Sequence, residues 1–264
     1  MRAAWYDEQG PAADVLQVGE VADPVAGPGE VRVRVAFSAV HVGDIGKRRG
    51  WWGSTMTFPR VIPHGDGAGV IDQVGEGVDP GRVGERVWVY LAQSYRPFGT
   101  AAEFTVVPAD RAVPVPADVA DVPEALKLGA DRALAVDEAD QAELAKKIGP
   151  VDRIAEVAFD GNLALDVEIL RYGGSIATYA TRDPQPAIPY WELAFKNIRV
   201  EFLSNEDFPA EANEQAVADL TEAVAAGDLL YPIAARLPLD QIAQAHDLTE
   251  LAPSGHRVLI EVTK

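Results

Sequence analysis

The dodecapeptide His41-Val42-Gly43-Asp44-Ile45-Gly46-Lys47-Arg48-Arg49-Gly50-Trp51-Trp52 concentrates the most reactive side-chain types of this chain. An imidazole exchanges its proton near neutral pH, and a positioned general acid or base contributes about 10² to 10⁴ in rate. His41 and Asp44 are therefore the candidate catalytic residues. The competing reading makes Asp44 a helix cap and His41 a pocket wall. Trp51 and Trp52 suit a platform for a flat ligand such as a quinone, or a loop anchor packed on a neighbouring element. Lys47, Arg48 and Arg49 form a small basic cluster that suits an anionic ligand or a solvated turn; Lys47 and Arg48 are taken with the tryptophans as substrate-binding candidates.

A second stretch, Ile62 to Gly77, reads IPHGDGAGVIDQVGEG and carries glycines at 65, 67, 69, 75 and 77. A dinucleotide-binding turn needs G-x-G-x-x-G between a strand and a helix. Gly65, Gly67 and Gly69 have the wrong spacing, and after Gly75 and Gly77 the last position is Pro80. No helix pattern follows either group. These glycines predict tight strands and turns, not a phosphate cradle. The pair Gly173-Gly174 precedes a strand and reads as a helix terminator.

The elements that must position these residues change character along the chain. EVRVRVAFSAV (30–40) and GERVWVYLA (84–92) alternate in period two, and AAEFTVVP and RAVPVP add short strands between Gly- and Pro-rich turns. That pattern predicts a compact β-barrel or sandwich. Beyond Pro116, DVPEALKLGA and DEADQAELAKKIG read as helices. RALAV, DRIAEVA, GSIATYA and IRVEFL then read as strands, with NLALDVEILR and YWELAFKN as helices between them. Strand–helix alternation predicts a parallel sheet. A longer helix over about 209–226 has Ala216, Val217, Leu220 and Val224 as its apolar stripe. A helix capped near Asp240 and the strand RVLIEV close the chain.

The chain has 264 residues, a net charge of −18 and no cysteine. Disulfides and thiolate zinc sites are excluded. The acidic field disfavours nucleic acid and anionic membranes. No signal-peptide pattern or membrane-length apolar run is present, so a cytoplasmic location is expected.

Taken in order, five segments resemble the zinc-free quinone oxidoreductase branch of the medium-chain dehydrogenase/reductase family, the zeta-crystallin-like enzymes. They are HVGDIGKRRG, IPHGDGAGVIDQVGEGV, GTAAEFTVVPADRAVPVP, DRIAEVAFDGNLALDVEILRYGGSIATYAT and GHRVLIEV. The resemblance implies an α/β plus β fold, a GroES-like β-barrel with a Rossmann-like parallel sheet. The expected division is a barrel domain over 1–118, a truncated Rossmann-like domain over 119–206, and a segment over 207–264 returning to the barrel.

By the same resemblance, His41 lies at the floor of the cleft and supplies a proton beside a hydride transfer. Tyr179, Ala180, Thr181, Phe202 and Leu203 contact the nicotinamide end of NADPH. In the wider family's zinc enzymes His41 stands at a Cys position and Gly65 at a His position, so no metal is expected. The sequence departs from the family after VPADVADVPEA. The first two Rossmann strands and their glycine turn are missing, so the usual diphosphate cradle is absent. RALAV is then expected to dock beside DRIAEVA. Loss of central strands exposes apolar surface and favours a homodimer.

Three functions follow. One is an NAD(P)H-dependent quinone or enone reductase acting on a small aromatic or conjugated carbonyl compound. The second is a non-redox binder, cyclase or isomerase using the retained cleft. The third is an inactive deletion product.

Overall fold

The computed structural model describes residues 1–116, 149–227, 233–251 and 257–263, without the side chains of Trp52 and Asn205. The predicted helices and the RALAV strand over 117–148, and His256, lie outside these residues. The chain divides into two compact units, Met1–Leu128 with Gln215–Lys264, and Gly129–Glu214.

The first unit begins with strand β1 (Arg2–Trp5), helix α1 (Ala12–Val15) and strand β2 (Gln17–Glu20), which pairs back on β1. Strand β3 (Glu30–Val40) is its centre, because β-branched residues recur there at every second position. Helix α2 (Val42–Arg49) follows directly. Strands β4 (Asp66–Val74), β5 (Arg86–Val89), β6 (Phe104–Pro108) and β7 (Ala112–Pro114) complete the β-rich segment. With β11 (Ile233–Pro238) and β12 (Arg257–Glu261) from the end of the chain, the order is β11-β12-β3-β4-β5-β7, and β6 also pairs with β3. This is the GroES-like arrangement. Val31, Val33, Ile71, Val87, Val89 and Val107 fill one core.

The glycines of β4 serve packing. A Cβ at Gly67 would stand 2.9 Å from the carbonyl oxygen of Phe37, and at Gly69 it would strike the carbonyl of Arg34. Close approach of β3 and β4 therefore requires glycine there, as the spacing predicted.

The second unit carries β8 (Val151–Glu156), α3 (Phe159–Ile169), β9 (Leu170–Thr178), α4 (Tyr190–Phe195) and β10 (Arg199–Phe202). Its three strands are parallel in the order β10-β9-β8. Phe159, Leu163, Leu170, Ile176 and Leu193 form the core between sheet and helices. Lys196 closes the C-terminal end of α3, its Nζ donating to the carbonyl oxygens of Val167 (2.5 Å), Glu168 (3.1 Å) and Leu170 (3.1 Å).

The glycine pair at 173–174 corrects a sequence expectation. Helix α3 ends earlier, at Ile169, and β9 runs through both glycines. Gly173 adopts φ +75, and its N–H donates to Lys196 O. The pair bends the start of a strand instead of ending a helix.

Helix α5 (Ala210–Ala226) matches the long predicted helix, although none of its residues is fully buried. Helix α6 (Ile242–Leu251) inserts Ile242 and Ala245 into a core with Val40, Val258 and Ile260.

Candidate functional site

The segment read as an active-site loop is a helix with a hydrogen-bonded cap at each end. His41 is the N-cap of α2, at φ −114. Its Nδ1 accepts from the N–H of Gly43 at 3.0 Å, and Asp44 Oδ2 accepts from the N–H of His41 at 2.8 Å. At the other end Gly50 takes φ 69, a left-handed turn that glycine adopts without strain. Asp44 is buried in this capping role.

Strand register gathers other groups around His41. Ala39 pairs with Asp66 across β3–β4, and Val40 pairs with Val258 across β12–β3. Side chains alternate between faces. Ser38 and Val40 point into the interior, while Ala39 and His41 take the opposite face, with Asp66 and Arg257 beside them. His41 and Asp66 both reach solvent on this face, partly desolvated by their neighbours. Burial lowers the pKa of His41; Asp66 opposes that shift, and Arg257 and Lys47 reinforce it. Burial raises the pKa of Asp66 above its ordinary value, against the pull of His41, the N–H of Leu91, Arg257 and Lys47. The rim is thus a mixed-charge cluster of His41, Asp66, Arg257 and Lys47.

The cap decides what His41 can do. Its Nδ1 lone pair is engaged, so the neutral ring carries hydrogen on Nε2. Taking a second proton at Nδ1 would break the cap. His41 therefore suits polarisation of a carbonyl oxygen by Nε2–H better than delivery of a full proton. Asp66 lies beside it as the second ionisable group of this face.

Beneath the rim runs a buried chain of polar groups. Arg48 Nε donates to His246 Nδ1 at 3.3 Å, and His246 Nε2 lies 3.0 Å from His64 Nε2. His64 Nδ1 lies 2.7 Å from Ser38 Oγ, which lies 2.8 Å from Thr100 Oγ1. Thr100 Oγ1 donates to the carbonyl of Asp66 at 2.7 Å. Arg48 also donates to Gly10 O. Arg48, His246, His64, Ser38 and Thr100 are all fully buried. Burial lowers His64 to a pKa of about 3, and burial with the nearby His64 and Arg48 lowers His246 to about 2.

Arg48 departs from the sequence expectation: it is no surface group for an anionic ligand, because its side chain is fully buried, with Nε engaged by His246 and Nη1 by the Gly10 carbonyl while Nη2 has no partner. Lys47 is exposed, and its Nζ donates to Gln93 Oε1 at 3.3 Å. Arg49 pairs with Glu250 at 2.9 Å. Trp51 packs on α2, where a Cβ at Gly46 would meet its ring at 2.8 Å. That is the anchor reading. The Trp52 side chain lies outside the described residues.

In the second unit the expected cofactor residues do line the carboxyl ends of two parallel strands. Tyr179 and Phe202 are largely exposed, and the Phe202 ring meets Phe159 edge-on at 5.6 Å. The Ala180 carbonyl accepts from Phe159 N, and Leu203 N donates to Thr178 O. Thr181 Oγ1 donates to Asp160 Oδ1 at 3.1 Å. Glu156 ends β8; it accepts from Ala158 N and from Asn162 Nδ2. Buried Asp166 beside it has its pKa raised to about 7, by burial and then by Glu156.

Asp66, Arg257, His64, His246 and the Glu156–Asp166 pair escaped the sequence reading. Asp66 had a usable signal, since period-two alternation puts position 39 and position 41 on one face. His246 had none, because its partner is 182 residues away.

Two domain families match the sequence. The alcohol dehydrogenase GroES-like domain matches residues 27–117, and the zinc-binding dehydrogenase domain matches residues 128–254. Among curated relatives, the chain is 41% identical over 80 residues to an alcohol dehydrogenase of Geobacillus stearothermophilus, covering 29% of this chain and 23% of that protein. It is 36% identical over 128 residues to the starvation-sensing protein RspB of Escherichia coli (strain K12), covering 40% of this chain and 37% of that one. These matches span well under two thirds of either relative. The fold is also that of an Escherichia coli quinone oxidoreductase complexed with NADPH, at TM-score 0.84 and 16% identity over 99% of this chain and 100% of that chain.

A GroES-like barrel followed by a parallel-sheet unit defines the two-unit dehydrogenase architecture. The chain belongs to the medium-chain dehydrogenase/reductase family.

Zinc does not fit the residues present. The chain lacks cysteine, and among the described residues no three His, Asp or Glu side chains converge. A nicotinamide dinucleotide fits in one half only. The exposed carboxyl ends of β9 and β10 suit a flat ring. A diphosphate finds no cradle among the described residues: Glu156 takes the Ala158 N–H at the start of α3, and Asp160 adds a second negative charge there.

Proposed function

We propose that this protein is an oxidoreductase that reduces a small conjugated carbonyl compound, a quinone or enone, with NAD(P)H as the hydride source. The carrying observation is the barrel rim, where a capped imidazole presents Nε2–H beside a carboxyl group of raised pKa. In this reading His41 polarises the substrate oxygen, Lys47 and Arg257 stabilise developing negative charge, and the proton that the product receives comes from water held beside Asp66. Asp44 positions His41 through the cap. Trp51 anchors the turn after α2. Tyr179, Ala180, Thr181, Phe202 and Leu203 are the proposed contacts for the cofactor ring. The family, and relatives that include a trans-enoyl reductase of Gibberella fujikuroi, support this class of reaction.

A second reading is acid–base chemistry without redox, an isomerisation or cyclisation at the same rim. The absent phosphate turn and the carboxylates at the start of α3 favour it. Hydrogen bonds to charged groups contribute about 1.5–3 kcal/mol each, so loss of several weakens dinucleotide binding toward millimolar. Titration with NADPH, read by nicotinamide fluorescence, separates the two. Saturation below about 100 µM, a binding free energy beyond roughly −5 kcal/mol, together with quinone-dependent NADPH consumption, supports the reductase. Absence of binding, with a quinone still raising the melting temperature, supports the second reading.

We also propose a cytoplasmic homodimer. No helix among the described residues is long and apolar enough to cross a membrane. Tyr172, Tyr190, Trp191 and Phe195 are exposed on the second unit and suit contact with a second copy. Light scattering giving the mass of one chain at micromolar concentration would exclude the dimer.

A further inference from the structure

We propose that Arg48, His246, His64 and Ser38 are positioning residues for the rim, a one-way hydrogen-bond chain that fixes Asp66 relative to the helix capped by His41. The chain starts on α2, whose N-terminal end is capped by His41, and ends through Thr100 on the carbonyl of Asp66. It therefore links the two rim groups from below. It rests on the reading of His41 and Asp66 as working groups.

Its direction follows from one constraint. Arg48 Nε can only donate, so His246 Nδ1 must accept. Neutral His246 then carries hydrogen on Nε2 and donates to His64 Nε2. His64 in turn carries hydrogen on Nδ1 and donates to Ser38 Oγ. Ser38 donates to Thr100, whose own hydrogen goes to Asp66 O. Each imidazole nitrogen and each hydroxyl along the path has a partner, while Nη2 of Arg48 is left without one. Reversing the two imidazole tautomers would set two N–H groups against each other at Arg48, and reversing the Ser38–Thr100 link would leave the Asp66 carbonyl without its donor.

The backbone at His64 shows that this arrangement is held against local preference. His64 adopts φ 78, a left-handed conformation that costs a non-glycine residue energy, and it does so with its ring fully buried. Glycine would adopt this φ without strain but would remove the middle link of the chain. The ring is kept where it joins β3 to α6.

The test uses the whole protein and two substitutions at one site. Gln at position 246 can accept from Arg48 and donate to His64; Leu can do neither. Nitrogen-15 spectra of the wild type should show His246 protonated at Nε2 and His64 at Nδ1. Titration by NMR then follows His41 and Asp66, which face each other, Arg257 and Lys47. His246→Leu should shift their apparent pKa values by about half a unit or more, and His246→Gln should restore them. Opposite tautomers, or unchanged rim titrations in a folded His246→Leu protein, overturn the proposal. If His246→Leu does not fold, Ser38→Ala gives the same readout from the other end of the chain. Each of these results is independent of whether NADPH binds, so the assignment of the reaction can fail while this one stands.

Discussion

The Nε2 atoms of His64 and His246 lie 3.0 Å apart in a site closed to water. Two imidazoles at that distance share one hydrogen and exclude a second. Their pKa values, about 3 and about 2, fall below the unfolded value of 6.5. Folding therefore keeps them neutral while the unfolded chain takes up protons below pH 6.5. The resulting stability is complete above 6.5 and is lost as pH falls toward 3. Two such protons steepen the acid slope by up to about 2.7 kcal/mol per pH unit. Urea denaturation across this window should show a shallower slope in His246→Gln than in the wild type.

Asp166 should act in the opposite sense. Its pKa of about 7 is raised above the ordinary carboxylate value of 3.8. The folded state then holds a proton that the unfolded chain releases, so stability falls as pH rises from about 4 through 7. Asp166→Asn keeps the shape and removes the charge. It should stabilise the protein by about 1–3 kcal/mol at pH 8 and leave it unchanged near pH 4. Melting curves at the two pH values check this.

His41 combines a cap and a rim donor, and one substitution separates them. Asn is a good N-cap, so His41→Asn should keep stability within about 0.5 kcal/mol. It removes the Nε2–H, so the proposed quinone reduction should fall by about 10² or more. Asp44→Ala should instead cost about 1 kcal/mol of stability through loss of the cap. Paired melting and rate measurements distinguish the two.

The glycine-rich strand offers a packing test. A Cβ at Gly69 strikes the carbonyl of Arg34, whereas one at Gly77 meets nothing within 4 Å but must adopt φ +83. Gly69→Ala should cost about 2–3 kcal/mol and Gly77→Ala about 1 kcal/mol. Equal costs in urea denaturation would contradict the close approach of β3 and β4.

Local patterns made much of this fold readable. Alternation along 30–40 gave β3, and the glycine spacing gave a strand instead of a phosphate turn. The helix at Val42–Arg49 was legible only as the alternative in which Asp44 caps it, because its two glycines and lysine-arginine run also suit a loop. Charge predicts exposure for Arg48, whereas a distant imidazole and the Gly10 carbonyl engage it in the interior. Asp66 was passed over among glycines, although alternation placed it beside His41. Partnerships spanning much of the chain leave no periodic trace.

The hold that Lys196 keeps on three carbonyl oxygens at the end of α3 has a chemical corollary. An ammonium group can satisfy all three acceptors; an N-acyl amide has one hydrogen and no charge. Acylation at this single nitrogen would thus act less as a surface mark than as a cork drawn from the bottle, freeing the end of one helix and the bend of the strand after it.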